Sequence, residues 1–380
     1  MRLAFCFLAL TVLASTAACS ANVAEDEDST EDALTAPKPA TTQVTTPNFW
    51  TGGGQLRYAP NGNANLLFRV HTDRETLYQD YPSLRFATID NGVVKVETIP
   101  TYATGGAGFA LDAKGSPYVL LGDSLTLYTR SAQGVWSPET VDEHVAGSKT
   151  GQWADLAFAA DGTLHAIFHR EGVTLPDGTV ATQLVHAVRT GSSWQKEIVT
   201  QIPRGYDAIT YSSLAIAGNT VHIVYGGDYG TTPAHHASQT ATGWAIEEAP
   251  AKTYGIVADR IGRIASVGCG TAQSVVLSVL RSGKAPQTET VPFKEPATSS
   301  GCVDAHLTYD SSGRPHVAVS RDGAVEYAVK DKGRWSTYKL SSDRGFGVSS
   351  IVTRTRNGHL QVGVTRHPAD LSLVLTTLAF

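Results

Sequence analysis

The sequence predicts an all-β protein built from a repeated unit, and three observations support this prediction. The 380 residues include 36 glycines but only 17% charged residues, a composition typical of short strands joined by tight turns. Outside the N-terminus, no long stretch has the apolar period of a helix. A glycine followed by an apolar strand recurs every 44–56 residues along the chain. We therefore expect one repetitive β domain.

Each predicted unit contains four strands in a fixed order. A short apolar strand precedes the repeat glycine, as in QLRYA (55–59), and a second strand follows it, as in HVAVS (316–320). A third strand contains an aromatic residue before a small one, as in VEYA (325–328), and a fourth follows a Gly-x-Trp turn, as in GRWSTYKL (333–340). The repeat glycines are Gly62, Gly115, Gly162, Gly218, Gly262, Gly313 and Gly358.

Four strands in about 50 residues are the signature of a propeller blade. The seven units therefore predict a seven-bladed β-propeller over residues 48–380. The last unit has only three strands before Phe380. Because an incomplete blade leaves an open edge, we expect a strand near Thr42–Pro47 to supply its outer strand and close the ring.

The first 47 residues have a different composition. Residues 1–19 resemble a secretory signal peptide, with Arg2, an apolar run and small residues before Cys19. Ala17-Ala18-Cys19-Ser20 resembles the lipobox of bacterial lipoproteins, which implies lipidation of Cys19, whereas cleavage at an ordinary small-residue site would release a soluble protein. Residues 20–47 are acidic and rich in Thr and Pro, so we expect a disordered tether. These features predict export, to the outer membrane, the periplasm or the exterior.

Charge and motifs exclude several function classes. The chain carries −5, of which residues 20–47 contribute −5 and Arg2 +1, so the predicted propeller carries −5 + 5 − 1 = −1. A nearly neutral domain is not expected to bind nucleic acid. Phosphate-loop, dinucleotide, Gly-x-Ser-x-Gly and His-Glu-x-x-His motifs are missing from the sequence, and we expect no cofactor and no metal. We expect a monomer that contacts a membrane only through a lipid anchor.

Several histidines and tryptophans recur at fixed positions of the repeat. His165, His222 and His316 share a position just after the turn glycine, and His186 and His236 occupy the aromatic position of the third strand. We interpret them as structural side chains that hydrogen-bond to an adjacent strand. The tryptophans of the fourth strand are expected to pack between blades; they are Trp136, Trp194, Trp244 and Trp335.

The turn before the fourth strand resembles a known repeat. TRSAQGVW (129–136) and KDKGRW (330–335) resemble worn copies of the Asp-box turn, Ser-x-Asp-x-Gly-x-x-Trp, of the sialidase and BNR-repeat propellers. This resemblance implies a propeller fold and frequent glycan recognition. It does not by itself imply sialidase activity.

Cys269 and Cys302 fall on adjacent predicted blades and at the same face. In an exported protein, two cysteines in this arrangement predict a disulfide.

That face also carries the connections between the second and third strands and those between blades, and we call it the looped face. Its longest predicted connections are residues 70–82, 169–182 and 226–236, in blades one, three and four. Such loops often bind ligands. Four arginines follow the second strands, and aromatic residues precede the inner strands. The predicted ligand-binding set is Arg69, Arg170, Arg321, Arg366, Trp50, Trp153 and Tyr206. Guanidinium groups and aromatic rings together suit an anionic saccharide.

Two classes of function remain open. The favoured one is a non-catalytic binding propeller for a glycan or a protein. The alternative is a carbohydrate-active enzyme, either a polysaccharide lyase or a sialidase-like hydrolase. A lyase would use Arg170 to neutralise a uronate and His169, Tyr229 or His235 to move a proton. A sialidase-like hydrolase would need a Tyr–Glu nucleophile pair, which we cannot place in the sequence.

Overall fold

The structure is a computed structural model of the chain. It describes residues 37–45, 50–71, 83–102, 106–122, 124–143, 149–203, 209, 211–226, 234–250, 253–269, 274–281, 283–293, 302–321, 324–341, 347–356, 359–368 and 372–380. All of them belong to one compact unit, Ala36–Phe380. These residues form 28 strands in seven antiparallel sheets of four strands each. The protein is a seven-bladed β-propeller, as the repeat predicts.

The first four blades follow the chain in order, each from its inner to its outer strand. Blade 1 contains β2 (Trp50–Tyr58), β3 (Ala64–His71), β4 (Ser83–Asp90) and β5 (Val93–Tyr102). Blade 2 contains β6 (Ala107–Leu111), β7 (Pro117–Leu121), β8 (Thr126–Arg130) and β9 (Trp136–Thr140). Blade 3 contains β10 (Lys149–Phe158), β11 (Leu164–Thr174), β12 (Val180–Thr190) and β13 (Ser193–Ile202). Blade 4 contains β14 (Tyr211–Ala217), β15 (Thr220–Gly226), β16 (His235–Thr240) and β17 (Gly243–Glu248).

The remaining blades include the one that closes the ring. Blade 5 contains β18 (Thr253–Ala258), β19 (Ile264–Cys269), β20 (Val275–Arg281) and β21 (Lys284–Val291). Blade 6 contains β22 (Cys302–Tyr309), β23 (Pro315–Arg321), β24 (Ala324–Asp331) and β25 (Arg334–Ser341). Blade 7 contains β26 (Gly347–Arg356), β27 (His359–His367) and β28 (Val374–Ala379), and its outer strand is β1 (Lys38–Gln43).

The closing strand confirms the expected latch at a slightly different place. Strand β1 pairs with β28 from Lys38↔Ala379 to Gln43↔Val374, and the Val44 N–H donates to the Leu373 carbonyl at 2.8 Å. The strand thus begins four residues before the predicted Thr42–Pro47 and lies inside the segment predicted to be a disordered tether. Its sequence, KPATTQ, has few apolar residues, so the pairing rests on backbone hydrogen bonds that composition does not indicate.

Six of the repeat glycines lie in the hairpin turns between first and second strands and have positive φ, and the seventh, Gly358, lies outside the described residues. Gly313 has φ of 78° and donates its N–H to the Asp310 carbonyl at 2.9 Å. The Asp310 carboxylate accepts the Ser312 and Arg314 N–H groups at 2.8 and 2.9 Å. The same turn, in which an aspartate binds N–H groups of the turn before a glycine with positive φ, occurs at Asp112 and Asp259 and explains the Asp-x-x-Gly spacing of these three hairpins.

Apolar side chains from both faces of each sheet fill the spaces between blades. Phe168 on the second strand of blade 3 is buried against blade 2, whereas its neighbour Ile167 is buried against blade 4. Because both faces are covered, second strands are buried at nearly every position, as in β23. This two-sided packing is the physical reason that a single blade cannot fold alone.

Three tryptophans bind a glutamate of the preceding blade, which confirms their predicted position between blades. The indole N–H groups of Trp136, Trp194 and Trp335 donate to Glu97, Glu139 and Glu289 at 2.9, 2.8 and 2.7 Å. The same glutamates pair with Arg130, Arg189 and Lys330, the cross-strand partners of the tryptophans. Each of these three junctions therefore carries a clamp made of a carboxylate, an indole and a cation.

One predicted loop is a strand extension. Residues 169–182 belong mainly to β11 and β12, which are joined by a tight turn in which the Leu175 N–H donates to the Thr179 carbonyl at 2.8 Å. The other two long connections, residues 72–82 and 227–233, lie outside the described residues.

Several predictions about processing fall beyond the described part of the chain. Cys19 and the rest of residues 1–36 lie there, as do the side chains of Cys269 and Cys302, whose backbones belong to β19 and β22. Lipidation and the disulfide therefore stay predictions. Among the described residues, no helix has the length and hydropathy needed to cross a membrane.

Candidate functional site

The seven inner strands surround a central channel with a cavity of about 700 Å³. Residues of β2, β6, β10, β14, β18, β22 and β26 line it, together with Arg69 and Leu84 of blade 1. A cavity of this size lies in the range of small-molecule sites. The charged and titratable lining residues are Arg57, Arg69, Asp155, His306 and Tyr309, and they make the channel the candidate site.

One position recurs in all seven inner strands, and four of the residues at this position connect neighbouring blades around the channel. It lies directly before a buried apolar residue of the strand, such as Leu56, Leu156 or Leu307. The residues at this position are Gln55, Gly108, Asp155, Ser213, Gly255, His306 and Ser350. Four of them hydrogen-bond to the next blade: Gln55 donates to the Ala107 carbonyl, Asp155 accepts the Leu214 N–H, Ser213 accepts the Ile256 N–H and His306 meets the Val348 carbonyl.

Asp155 is the most heavily bonded member of this set. Its carboxylate accepts the N–H groups of Leu156 and Leu214, both at 2.9 Å, and the Ser213 hydroxyl at 3.4 Å. Burial raises the pKa of Asp155, and these donors and the charge of Arg57 oppose the rise. The lone pairs of the carboxyl group are thus largely used by the protein.

Arg57 faces the channel from blade 1. Its Nη1 donates to the Leu56 carbonyl at 2.9 Å, and its guanidinium lies over the Phe109 ring at 6.0 Å from the ring centre. Burial lowers the pKa of Arg57, and the charge of Asp155 partly offsets this effect. A guanidinium has five N–H donors, and in the described part of the chain we find only this one hydrogen bond and no ion pair for it. Arg57 therefore has donors to offer a ligand.

Small residues of blade 2 separate Arg57 from Asp155. The inner strand of this blade presents Gly106, Ala107 and Ala110 to the cavity, and Gly108 lies against the backbone of Asp155. A β-carbon on Gly108 would lie 2.8 Å from the Asp155 Cα atom. Gly108 therefore serves close packing of strands, and Gly106 and Ala107 leave their part of the channel wall without large side chains.

His306 lies on the wall formed by blade 6. Its Nε2 is 3.2 Å from the Val348 carbonyl oxygen, so this nitrogen carries the proton. Burial lowers the pKa of His306 to about 4, although the bond to Val348 opposes the shift. The ring is neutral at neutral pH and adds a polar contact to the channel.

The four predicted arginines do not share one environment. Arg69 lines the channel cavity. Arg170 donates to Asp142 at 2.7 Å, and Lys196 donates to the same carboxylate at 2.7 Å. Arg321 is 6% exposed, pairs with Glu326 at 2.9 Å and lies over the Phe293 ring. Arg366 donates to the Thr376 and Ser341 hydroxyls, both at 3.3 Å. Because Arg170, Arg321 and Arg366 bind groups of the protein, a role for the set in ligand binding stays a prediction.

The residues named for a lyase are also dispersed. His169 lies on β11 with no exposed surface and hydrogen-bonds through Nε2 to the Ser212 hydroxyl at 3.0 Å. Burial lowers the pKa of His169 to about 3. His235 begins β16 and stacks on Tyr225 with ring centres 5.2 Å apart. Tyr229 and Tyr206 lie outside the described residues, as do the side chains of Trp50 and Trp153.

The repeat histidines make contacts inside their own blades, which confirms their structural interpretation. His165 Nδ1 lies 3.0 Å from His186 Nε2, and His222 Nδ1 lies 3.1 Å from His236 Nε2. Both pairs are stacked, with interplanar angles of 15° and 6°. In blade 6, His316 bonds to the Tyr327 hydroxyl at 2.6 Å and to Asp310 at 3.2 Å.

Solved structures with the same fold include two antibiotic lyases and a polysaccharide lyase. A virginiamycin B lyase from Staphylococcus aureus has 9% identity and a TM-score of 0.56, over 90% of this chain and 99% of that one. A streptogramin B lyase has 11% identity and a TM-score of 0.57, over 90% and 98% of the two chains. A polysaccharide lyase has 10% identity and a TM-score of 0.55, over 90% and 99%. At these identities the similarity establishes the propeller fold alone.

No protein-family model and no curated protein sequence matches the chain.

Proposed function

We propose that the protein is an exported, non-catalytic binding propeller that recognises an anionic saccharide in its central channel. The observation that carries this proposal is the Arg57 guanidinium, which lines the cavity with a single hydrogen bond among the described residues. A half-buried cation with donors to spare favours a carboxylate or sulfate group, because charge-assisted hydrogen bonds are stronger where solvent is partly excluded.

The rest of the channel supports selection for a saccharide. Asp155 is held by three protein donors, so its oxygens are poorly placed to neutralise Arg57. Polar groups of Gln55, Thr308 and Ser349 also lie in the wall and offer partners of the kind that hydroxyl groups need. Arg69, on the same blade as Arg57, adds positive charge. The structural neighbours include a polysaccharide lyase, which agrees with a saccharide ligand without identifying it.

The test is a binding titration against uronate-containing oligosaccharides, each matched with its neutral counterpart. Calorimetry should detect binding of the acidic member of a pair and weaker binding of the neutral one. The Arg57→Gln variant should lose binding by about tenfold to a hundredfold, because a hydrogen bond to a charged group contributes roughly 1.5–3 kcal/mol. Binding should also weaken as salt is added.

A matched control distinguishes the loss of a cation in the channel from a change in the net charge of the protein. Arg260 is exposed on the turn of blade 5, so Arg260→Gln changes the net charge equally and should leave affinity unchanged. Equal affinity of the wild-type and Arg57→Gln proteins would contradict the proposal. So would equal affinity for acidic and neutral sugars.

The same samples test the enzyme alternative. A polysaccharide lyase would release an unsaturated uronate with a strong ultraviolet absorbance, and the wild-type protein should produce none. Product formation that is lost in His169→Gln or in Arg170→Gln would replace the binding function with lyase activity.

A further inference from the structure

The propeller has a second face that carries the hairpin turns of the blades. In blades 1 to 6 the four strands form an antiparallel meander in chain order. The turn between the first and second strands therefore lies at the same end of the sheet as the turn between the third and fourth strands. We call this end of the propeller the turn face, and it lies opposite the looped face.

Positive charge on the turn face is concentrated in blades 5 and 6. Counted from the last residue of one strand to the first of the next, the turns of these two blades carry a net charge of 7 − 3 = +4. The cations are Arg260, Arg263, Arg281, Lys284, Arg314, Lys332 and Arg334, and the anions are Asp259, Asp310 and Asp331. The turns of blades 1 to 4 carry a net charge of 2 − 3 = −1, from Lys114, Arg130, Asp90, Asp112 and Asp161.

The cations of blades 5 and 6 point to solvent more than the anions do. All seven are exposed except Arg314, which is half-buried. Asp259 and Asp310 are buried, and each accepts hydrogen bonds from its own turn. The two blades also form one surface, because Arg263 Nη2 donates to the Gly313 carbonyl at 3.4 Å. Positive charge therefore dominates this part of the turn face.

An exposed isoleucine lies within this basic surface. Ile261 is 68% exposed, the largest exposed fraction of any large hydrophobic residue in the described part of the chain. It lies between Arg260 and Arg263 in the turn of blade 5, and its N–H donates to the Asp259 carboxylate at 3.0 Å. An apolar side chain surrounded by cations is the combination that binds the interface of an anionic bilayer.

The chain enters the propeller at the same face. The third strand of blade 7, β28, runs towards the turn face and ends at Ala379, and Lys38 at the start of β1 pairs with this residue. A lipid anchor on Cys19, as the sequence predicts, would therefore be connected to the propeller on the side that carries the basic surface. This connection favours a bilayer over a soluble polyanion as the partner.

We propose that the turn face of blades 5 and 6 docks on an anionic lipid bilayer. Ile261 enters the headgroup boundary, and the surrounding cations bind lipid phosphate groups. This contact is additional to the lipid anchor expected from the sequence, and it directs the looped face away from the bilayer. It does not depend on saccharide recognition in the channel. The saccharide titration contains no bilayer, so Arg260→Gln remains a valid control there.

The experiment measures cosedimentation of the full-length protein with lipid vesicles. Every sample carries Cys19→Ser, so that the predicted lipidation cannot contribute to binding. Vesicles of phosphatidylcholine with about 30% phosphatidylglycerol should bind the protein at least about tenfold more tightly than pure phosphatidylcholine vesicles do. Raising the salt from about 0.1 M to about 0.5 M should remove most of this difference. Equal binding to the two kinds of vesicle would overturn the proposal, and this comparison needs no further substitution.

A double variant locates the contact. Lys284→Gln with Lys332→Gln should weaken binding to anionic vesicles about 30-fold, which is about fivefold for each cation near the bilayer surface. The matched control is Lys95→Gln with Lys114→Gln, because these two exposed lysines lie on blades 1 and 2 and their loss changes the net charge equally. Equal binding of the two double variants would contradict docking through blades 5 and 6.

The isoleucine distinguishes a bilayer from a soluble polyanion. Ile261→Ser should weaken vesicle binding about fivefold, because part of the side chain is buried among lipids, and it should not change binding to soluble dextran sulfate. If dextran sulfate binds as tightly as anionic vesicles and Ile261→Ser affects neither, the basic surface is a site for soluble polyanions and the proposal of bilayer docking is wrong.

Discussion

Gly108 on the inner strand of blade 2 lies directly against the backbone of blade 3, so Gly108→Ala tests how tightly the ring is closed around the channel. The new β-carbon would lie 2.8 Å from both Cα and C of Asp155 and 2.9 Å from the Leu156 nitrogen. All three atoms belong to the backbone. They cannot rotate away, and the strands would have to separate by several tenths of an ångström.

The expected cost follows from three contributions. Overpacking of this kind typically costs about 1–3 kcal/mol. The shift also disturbs the hydrogen bonds that Asp155 accepts from Leu156 and Leu214, each of which contributes about 1 kcal/mol. Alanine lowers the entropy of the unfolded chain and returns about 0.4–1 kcal/mol. With about 1 kcal/mol of this hydrogen bonding lost in total, the net loss in the free energy of unfolding is centred on about 2–3 kcal/mol.

The chain offers a matched control at the same repeat position. Gly255 of blade 5 is the counterpart of Gly108, but a β-carbon there would meet nothing within 4 Å. We expect Gly255→Ala to be neutral or to stabilise by up to about 1 kcal/mol. In urea unfolding, with a slope of about 3 kcal/mol/M, Gly108→Ala should lower the midpoint by roughly 0.7–1 M. Equal midpoints for the two variants would refute the packing argument.

Three further predictions concern the histidine pairs, the clamps and the closing strand. Burial lowers the pKa of His165 and His222 to about 4 each, so as the pH falls these histidines bind protons in the unfolded chain before they do so in the folded protein. Stability, measured as the urea midpoint at several pH values, should therefore be full above about pH 6.5 and fall as the pH drops towards about 4. A flat profile would contradict this prediction. Glu139→Gln weakens the bonds to Arg189 and Trp194 and should lower the free energy of unfolding by about 1 kcal/mol, since these groups are partly exposed, whereas Glu143→Gln should have no effect. Removing residues 1–43 should lower the melting temperature and promote association through the bare edge of β28, whereas removing residues 1–35 should do neither, by calorimetry and size-exclusion chromatography.

The fold could be predicted because its signals are local and repeated. A glycine that requires positive φ, an aspartate that binds its own turn and a tryptophan at the start of the fourth strand each reflect contacts within a few residues or between equivalent positions of adjacent blades. Because such signals recur along the chain, they can be recognised even though each single one is weak. The exact position of β1 was harder to predict from the sequence, because its pairing with β28 depends on residues more than 300 positions away in the chain.

The candidate site was harder to predict for a physical reason. The arginines near the ends of second strands form one set in the sequence, but a shift of one residue turns a strand side chain to the opposite face. Arg69 consequently lines the channel, whereas Arg170, Arg321 and Arg366 meet protein partners. Arg57 drew no attention because it sits inside a strand. The sequence signal that indicates the channel lining is the position before a buried apolar residue, because this position is polar or glycine in all seven inner strands.

The pairing of β1 with β28 also has a consequence for biosynthesis. The Leu373 N–H binds the Thr45 hydroxyl across 328 positions of sequence, so the seventh sheet cannot be assembled until β28 has been synthesised. Until then, six sheets form an open arc whose ends are unprotected against other chains. Slow synthesis or a truncated message would prolong this stage. Chaperones that bind nascent chains would matter most while β26, β27 and β28 are being made.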